Sequence, residues 1–302
     1  MSSYRNAGLF LLLSLFWGSS FMAIRVGLED IPPVLFAAIR YDVAAAIMLA
    51  YAAAATDDWR PRNRTDWVAI GVSGLFIIAL YNAFLFVGQQ EVTSGVAAIL
   101  IATNPILATG FSRALLPSER LTPLGIAGLA LGLLGVGLVA TPATTGLLGP
   151  GAIYPGFVLA AAVCVALGSV LIQRIDSDIS TEGMVAWSTA LGALLLHAMS
   201  AGLPTESPAG VAVTTEALLA VGYLSVFASA VGYFIYFDLL GRLGAIEINL
   251  VSYAVPVFAA LSGWVVLAET LSVSAVAGFL LIFCGFVVIK RKAIRAELAA
   301  FG

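Results

Sequence analysis

The sequence predicts an all-α integral membrane protein, with ten transmembrane helices arranged as two inverted five-helix repeats. Three observations predict this fold class: an extremely apolar composition, ten apolar runs of membrane-spanning length, and an internal repeat. Of the 302 residues, 61% are hydrophobic and 10% are charged, whereas soluble domains are about 45–50% apolar and about 25% charged. A soluble fold of this size could not bury so much apolar surface, so we expect the lipid bilayer to cover it.

Ten apolar runs are long enough to cross a hydrocarbon layer of roughly 30 Å, which takes roughly 20 helical residues. Short segments rich in proline, glycine or charge separate the runs, and none of them is long enough to form a soluble domain. The first run lacks a convincing cleavage site, so we interpret it as a retained helix and not as a signal peptide. The predicted spans are residues 7–28, 33–55, 66–88, 92–115, 121–140, 151–173, 180–202, 213–240, 245–268 and 271–290.

Lysine and arginine concentrate in alternate connecting segments, and this predicts the orientation because both residues are retained on the cytoplasmic side. With a cytoplasmic N-terminus, 12 of the 14 cations fall inside, and only Arg25 and Arg40 remain for the membrane or the opposite side. We therefore expect a multi-pass protein of the bacterial inner (plasma) membrane with both termini in the cytoplasm.

Cys164 and Cys284 lie in apolar runs without metal-ligand spacing, so we expect no metal and no cofactor. Nothing in the charge pattern favours a nucleic-acid partner.

The sequence matches itself when it is shifted by 150 residues. Each half would hold five helices, an odd number, so the second half would enter the membrane from the opposite face. This predicts a first repeat in residues 1–145, a second, inverted repeat in 146–292, and a cytoplasmic tail in 293–302. Two similar halves can open a central site to each side in turn, which favours a transporter. The matched pairs are Gly18 with Gly168, Ser19 with Ser169, Phe84 with Phe234, Glu119 with Glu269, Leu121 with Leu271, Gly128 with Gly278, Gly135 with Gly285 and, after a one-residue adjustment, Pro105 with Pro256.

Several of these residues belong to motifs of a known family. The first predicted helix carries Trp17-Gly18-Ser19-Ser20-Phe21, and a Glu-x-Leu motif followed by two glycines recurs near the end of each half. In these motifs the chain resembles the drug/metabolite transporter superfamily, of the type with two EamA-like repeats, and within it the YddG-like exporters of aromatic amino acids. The resemblance implies a secondary transporter that exports small metabolites, amino acids above all; drugs, nucleosides or sugar derivatives are the alternative cargo.

Polar and aromatic residues recur inside the predicted spans and indicate a lined central cavity, although helix packing also uses such residues. Arg40 lies about two turns inside the second predicted helix, where its fork of donors suits a substrate carboxylate. The alternative is that Arg40 only holds its helix in place, and the residue pattern leaves both open. The residues predicted to line the substrate-binding cavity are Trp17, Ser20, Arg40, Tyr81, Asn82, Asn104, Tyr233, Ser252 and Tyr253.

Two prolines lie within predicted helices. Pro105 and Pro256 lack the backbone donor that would bind the carbonyl four residues earlier, so we expect both helices to kink there. The kinks would free backbone acceptors near the middle of the membrane. They are the sites where we expect the helices to change shape during transport.

The few ionisable residues within the spans have alternative interpretations. Asp42 is a candidate proton site, or else a neighbouring helix satisfies it. Asp238 precedes Arg242 by four residues, which is the spacing of an ion pair on one helix. Glu119 and Glu269 lie close to predicted helix ends, where we expect an architectural role.

An intramembrane protease is the enzyme alternative. Tyr41-Asp42 resembles half of the aspartyl type, but the sequence lacks the Gly-x-Gly-Asp partner, and no Gly-x-Ser-x-Gly motif accompanies His197, the single histidine. A channel would need a filter or rings of like charge, which we do not find. We therefore expect a protein without enzyme activity, whose partners are the lipid bilayer and a small-molecule substrate, and which is a monomer or a weak dimer.

Overall fold

A computed structural model describes residues 2–115, 123–140, 153–243, 248 and 250–300. Within these ranges the regular structure is helical and no strand occurs, which confirms the all-α prediction. A short 3₁₀ turn, Pro208–Gly210, joins two of the helices. In chain order the helices are α1 (Ser2–Gly27), α2 (Pro33–Ala55), α3 (Arg64–Gly88), α4 (Ser94–Leu115), α5 (Pro123–Ala140), α6 (Ile153–Ile172), α7 (Thr181–Gly202), α8 (Thr215–Leu243), α9 (Val251–Leu267) and α10 (Val273–Ala300).

Seven of the helices in this described part of the chain, α1 to α4 and α6 to α8, have the length and hydropathy of membrane spans. The other three contain shorter apolar stretches, Leu124–Ala140, Val251–Leu267 and Val273–Ile289. Large apolar side chains point outward, as in Leu194 and Val265, which are 66% and 71% exposed. Such a surface suits contact with lipid. That all ten helices cross the membrane stays a prediction.

Local sequence explains where several helices begin. Asn63 accepts a hydrogen bond from the backbone of Asp66, whose carboxylate binds the Asn63 backbone in return, so α3 starts with a capping box. Ser180 and Thr214 cap α7 and α8 with their hydroxyl groups. Proline occupies the first position of α2, where the missing donor costs nothing.

The fourth helix is interrupted where the sequence predicted a kink. It consists of Ser94–Ile101 and Asn104–Leu115, separated by a turn. Pro105 therefore lies in the first turn of the second segment, where a helix needs no backbone donor, and the helix is broken instead of only bent. Pro256 lies inside the continuous helix α9, so the kink predicted there stays a prediction.

Helices of the two halves pack against each other, with α2 against α7 and α5 against α10. A Cβ atom placed on Gly128 would lie 2.8 Å from the carbonyl oxygen of Gly285, and one on Gly135 would lie 2.6 Å from that of Gly278. Glycine is required at these positions because any side chain would collide with the opposite backbone. Residue numbers rise along α5 while they fall along α10, so the two helices are antiparallel.

Candidate functional site

A cavity of about 380 Å³ lies between helices of both halves of the chain. Its described lining comes from α1, α2, α3 and α4 in the first half and from α6, α8 and α9 in the second. The volume falls in the range of roughly 300–1,000 Å³ that is usual for small-molecule sites. The structure brings eight of the nine predicted cavity residues together in this lining: Trp17, Ser20, Arg40, Tyr81, Asn82, Asn104, Tyr233 and Ser252.

Tyr253, the ninth predicted residue, lies elsewhere and is not among the lining residues that the structure describes. Its ring packs against Phe283 at 5.5 Å and Phe286 at 4.6 Å between ring centroids, both on α10. Neighbouring residues of a helix point to different faces, so Ser252 lines the cavity while Tyr253 turns away from it. The structure thus places Tyr253 in the contact between α9 and α10.

Other lining residues were not among those predicted. Tyr41, Ser229 and Tyr236 contribute hydroxyl groups, and Ser169 contributes one from α6. A signal was present for two of them, because Ser229 and Tyr236 continue the polar face of α8 that carries Tyr233. Ser169 stands alone in an apolar helix and gave no such signal.

Arg40 is a buried cation without an acidic partner among the residues that the structure describes; it is 7% exposed. Its Nη2 donates to Ser229 Oγ at 3.1 Å and to the Tyr41 hydroxyl at 3.4 Å, and its Nε has no hydrogen-bond partner. The guanidinium also lies 4.5 Å from the centroid of the Tyr41 ring and 5.8 Å from that of Phe86. Only neutral groups therefore compensate a charge that is costly to bury.

Two of the helices that line the cavity depart from regular α-helical geometry. Helices α3 and α8 each contain a π-helical stretch, Ser73–Leu80 and Leu224–Val231. The two stretches begin 151 residues apart, at nearly matched positions of the internal repeat. The π-helical geometry changes which side chains share a face, and it is frequent at functional sites. In α8 it holds Ser229, which accepts from the Arg40 side chain, and Ser225, whose hydroxyl lies 2.9 Å from the Arg40 carbonyl oxygen.

Two residues of the lining have a buried amide oxygen without a hydrogen-bond partner. The Asn82 side chain donates through Nδ2 to the carbonyl of Ile78 at 2.7 Å, and this bond fixes the orientation of its amide. Asn82 Oδ1 and Asn104 Oδ1 are both buried without a hydrogen-bond partner. A buried acceptor without a partner costs about 1–3 kcal/mol. Each oxygen has almost no accessible surface, so its side chain would have to turn slightly before it could accept an N–H or O–H of a ligand.

Aromatic rings form the apolar wall of the cavity. Trp17 donates through Nε1 to the carbonyl of Ala228 at 3.0 Å, which fixes its ring against α8. The ring centroids of Tyr236 and Tyr233 lie 5.6 Å and 6.3 Å from that of Trp17. Rings fixed in this way offer faces on which apolar parts of a ligand can pack.

Asp42, the candidate proton site, lies outside the cavity lining. Its Oδ2 is 2.8 Å from Nε2 of His197, and the two side chains are 51% and 41% exposed on the outer surface of α2 and α7. The contact fits the alternative that a neighbouring helix satisfies Asp42.

The predicted ion pair of Asp238 with Arg242 is confirmed, because Oδ1 of Asp238 lies 2.6 Å from Nη2 of Arg242.

A polar network that joins both halves lies at one end of the cavity; we call Arg25, Gln89, Ser94 and Glu269 the end network. Arg25 donates to the carbonyl of Gln89 at 2.8 Å, and its Nε lies 3.7 Å from Glu269 Oε1. Glu269 Oε2 accepts from the Ser94 backbone at 2.9 Å, and Gln89 Nε2 donates to the carbonyl of the lining residue Phe21 at 3.0 Å. The network thus borders the cavity. Glu119, which the internal repeat matches with Glu269, lies outside the described residues.

No group of three or more His, Cys, Asp or Glu side chains suited to a metal ion occurs in the described ranges. The described lining of the cavity offers one buried cation, neutral hydroxyl and amide groups, and aromatic faces.

Residues 6–141 and 153–291 each match the model of the EamA-like transporter family. The chain belongs to the EamA-like transporter family. This EamA chain is 31% identical to a protein of Salmonella typhimurium named a probable amino-acid metabolite efflux pump, over 94% of each chain. It is 26% identical to YvbV of Bacillus subtilis, named an uncharacterized transporter, over 99% of this chain and 95% of YvbV.

Further relatives agree with a multi-pass membrane transporter. The chain is 29% identical to YedA of Escherichia coli, named an uncharacterized inner membrane transporter, over 88% of this chain and 84% of YedA. A chain of known crystal structure aligns with a TM-score of 0.63 at 26% identity, over 97% of this EamA chain and 99% of that one. The family and these named relatives are transporters and not enzymes.

Proposed function

We propose that this EamA-family protein exports small metabolites, amino acids first among them, by alternating access through the central cavity. The observation that carries the proposal is the cavity itself, because both halves of the chain line it and it holds Arg40, a buried cation without an acidic partner in the described part of the chain. The Salmonella typhimurium relative, named a probable amino-acid metabolite efflux pump, supports the substrate class. The aromatic wall favours aromatic and branched amino acids, as the resemblance to YddG-like exporters also implies.

The architecture we propose is ten membrane spans in two inverted repeats. Repeat-matched helices α5 and α10 are antiparallel, which is the relation that an inverted repeat requires. The contact of Gly128 with Gly285 becomes that of Gly278 with Gly135 when the two halves are exchanged, as expected for a two-fold relation. The π-helical stretches at matched positions of α3 and α8 support the same arrangement. The cation pattern supports cytoplasmic termini.

In the proposed site, Arg40 binds the substrate carboxylate while Asn82 and Asn104 accept hydrogen bonds from its remaining polar groups. Trp17 and Tyr233 would pack against its apolar side chain. Such a site accepts many side chains because a stacking surface has no strict shape requirement. Broad specificity suits an exporter, and the same wall would admit the alternative cargo of drugs, nucleosides or sugar derivatives.

Alternation would require the two halves to separate at one end of the cavity while they close at the other. The end network joins α1, the turn after α3 and the start of α4 in the first half to the segment after α9 in the second half. We propose that it keeps this end closed, the end that the cation pattern places outside. Positions matched to Arg25 and Gln89 hold Ile175 and Leu239, so the opposite end needs other contacts to close.

We also propose that transport is facilitated and does not require proton coupling. The described lining holds no carboxylate, and Asp42 pairs with His197 on the outer surface. A proton carried with substrate would need a titratable group that contacts the cavity.

Uptake of radiolabelled amino acids into liposomes that contain the purified protein tests the proposal. Ser252→Phe should block uptake because Ser252 lines the cavity, whereas Val257→Phe should not, because this residue of the same helix is 51% exposed on the outer surface. If uptake by the wild type does not exceed that of liposomes without protein, transport of amino acids is refuted. If Ser252→Phe transports as fast as Val257→Phe, transport through this cavity is refuted.

A further inference from the structure

We infer that the cavity prefers solutes with a net charge of −1 over free zwitterionic amino acids. The preferred class is carboxylic acids with an apolar body and a neutral donor, such as 2-hydroxy acids and N-acylated amino acids. This inference rests on the proposed function, since it ranks the substrates of the same cavity: zwitterionic amino acids remain substrates, and monoanionic acids bind more tightly. The charge balance of the lining supports this preference.

Arg40 is the one charged side chain in the lining that the structure describes. A bound monoanion would reduce the net charge of the filled cavity to zero, whereas a zwitterion would leave a net charge of +1. Burial of uncompensated charge is strongly unfavourable, and a salt bridge recovers this cost only when its groups are fully paired. The carboxylate of a ligand would therefore be paired with Arg40, whereas an ammonium group on the same ligand would have no oppositely charged partner in the described lining.

The polar groups that remain suit a neutral donor better than an ammonium group. Asn82 Oδ1 and Asn104 Oδ1 are buried acceptors without partners, and a small turn of either side chain would let it accept an O–H or amide N–H of a ligand. An ammonium group has three donors and a full charge, which two neutral oxygens only partly replace after water is removed. A hydroxyl or an acylated amine needs a single acceptor and carries no charge.

Aromatic faces attract cations, but the ring of Tyr41 in this site already contacts the guanidinium of Arg40. The guanidinium of Arg40 lies over the ring of Tyr41 and is 5.8 Å from the centroid of the buried Phe86 ring. A second cation brought into the same cavity would be repelled by Arg40. The remaining rings therefore serve the apolar body of the ligand.

The charge preference has a consequence for the energy source. The inside-negative potential of a cell membrane drives a monoanion outward and exerts no net force on a zwitterion. An exporter of monoanions could therefore work without coupled protons. This agrees with a cavity that has no carboxylate in its described lining.

Titration calorimetry of the purified full-length protein with three ligands of one shape tests the inference. These are 3-phenyllactate (net −1), phenylalanine (zwitterion) and phenylalanine amide (net +1, under conditions where it is protonated). We expect phenyllactate to bind at least roughly ten-fold more tightly than phenylalanine, and the amide to bind most weakly. Arg40→Gln, checked for monodispersity, should remove the advantage of phenyllactate.

A second variant tests the charge balance by gain of function. Asn104→Asp would add a carboxylate to the lining at the start of a helical segment, where aspartate is favourable. This variant should bind phenylalanine more tightly than phenyllactate. Equal or tighter binding of phenylalanine by the wild type, an unchanged ligand order in Asn104→Asp, or binding of none of the three would each overturn the inference. The liposome assay with labelled amino acids decides the proposed function separately.

Discussion

Glu269→Gln should open the end of the cavity that the end network closes. The substitution preserves shape and an oxygen that can accept from the Ser94 backbone, but it removes the charge that faces Arg25 at 3.7 Å. Exposed ion pairs contribute about 0.2–1 kcal/mol and hydrogen bonds to charged groups about 1.5–3 kcal/mol. Because the side chains are 31% and 11% exposed, we expect an intermediate loss of about 1–2 kcal/mol. Such a loss corresponds to a roughly 5- to 30-fold shift toward the form that is open at this end.

Accessibility of the cavity measures this shift. Ser20→Cys places a thiol in the lining, in a background that lacks Cys164 and Cys284. An impermeant thiol reagent added to intact cells should label it roughly 5- to 30-fold faster when Glu269→Gln is present. Asp238→Asn is the matched control, because its ion pair with Arg242 lies within one helix and joins no two halves.

An unchanged labelling rate in Glu269→Gln, with the protein still monodisperse, would refute the assignment of the end network as a closing contact. An equal increase in Asp238→Asn would show that loss of any surface charge loosens the protein, and would refute it as well.

Three further predictions follow from the packing, the outer surface and the topology. Gly135→Ala should destabilise the protein by about 1–3 kcal/mol, measured by thermal unfolding in detergent, because its Cβ would lie 2.6 Å from a backbone oxygen, whereas Gly137→Ala meets nothing within 4 Å and should be neutral. Asp42→Asn should leave flux in liposomes within about two-fold of wild type at every pH, because it breaks only a half-exposed pair outside the cavity. Single cysteines at Arg62 and Thr205, both exposed, should differ in intact cells, where an impermeant reagent should label only the one at Thr205.

For each of these three predictions, one outcome would contradict it. Equal stability of the two alanine variants would mean that α5 and α10 separate easily. Loss of flux and of its pH dependence in Asp42→Asn would make this residue a proton site. Labelling at Arg62 alone would reverse the predicted topology.

The sequence predicted helix positions well where a hard break marks the end of a helix. Pro33 and the polar segment after Ala55 bound α2 at the predicted residues. The break in α4 was predicted only as a kink, because Pro105 signals a lost bond and the sequence does not show whether the chain responds by bending or by turning. The π-helical stretches of α3 and α8 gave no signal, since apolar residues with an occasional serine are equally typical of a regular α-helical span.

The cavity was predictable because polar residues are costly in a membrane and therefore collect where they are useful. Tyr253 was misplaced since Ser252 and Tyr253 are neighbours, and a polar stripe does not reveal which of two adjacent residues faces inward. The pair of Asp42 with His197 joins residues 155 apart in the chain, and such long-range contacts leave no local pattern. That Arg40 has no acidic partner within the described ranges was likewise visible only in the fold.

The most direct test of the account is the flux of phenylalanine and of its methyl ester through liposomes that contain wild type or Arg40→Ala, after subtraction of protein-free liposomes. Removal of a charged hydrogen-bond partner from a desolvated site costs about 1.5–3 kcal/mol, or roughly ten-fold to more than a hundred-fold in affinity. We expect a loss of this size in the apparent affinity for phenylalanine and no loss, or a gain, for the ester, which has no carboxylate for Arg40 to bind and carries an ammonium group that Arg40 repels. An equal loss for both solutes, with Arg40→Ala still monodisperse, would show that Arg40 supports the architecture and does not bind the substrate.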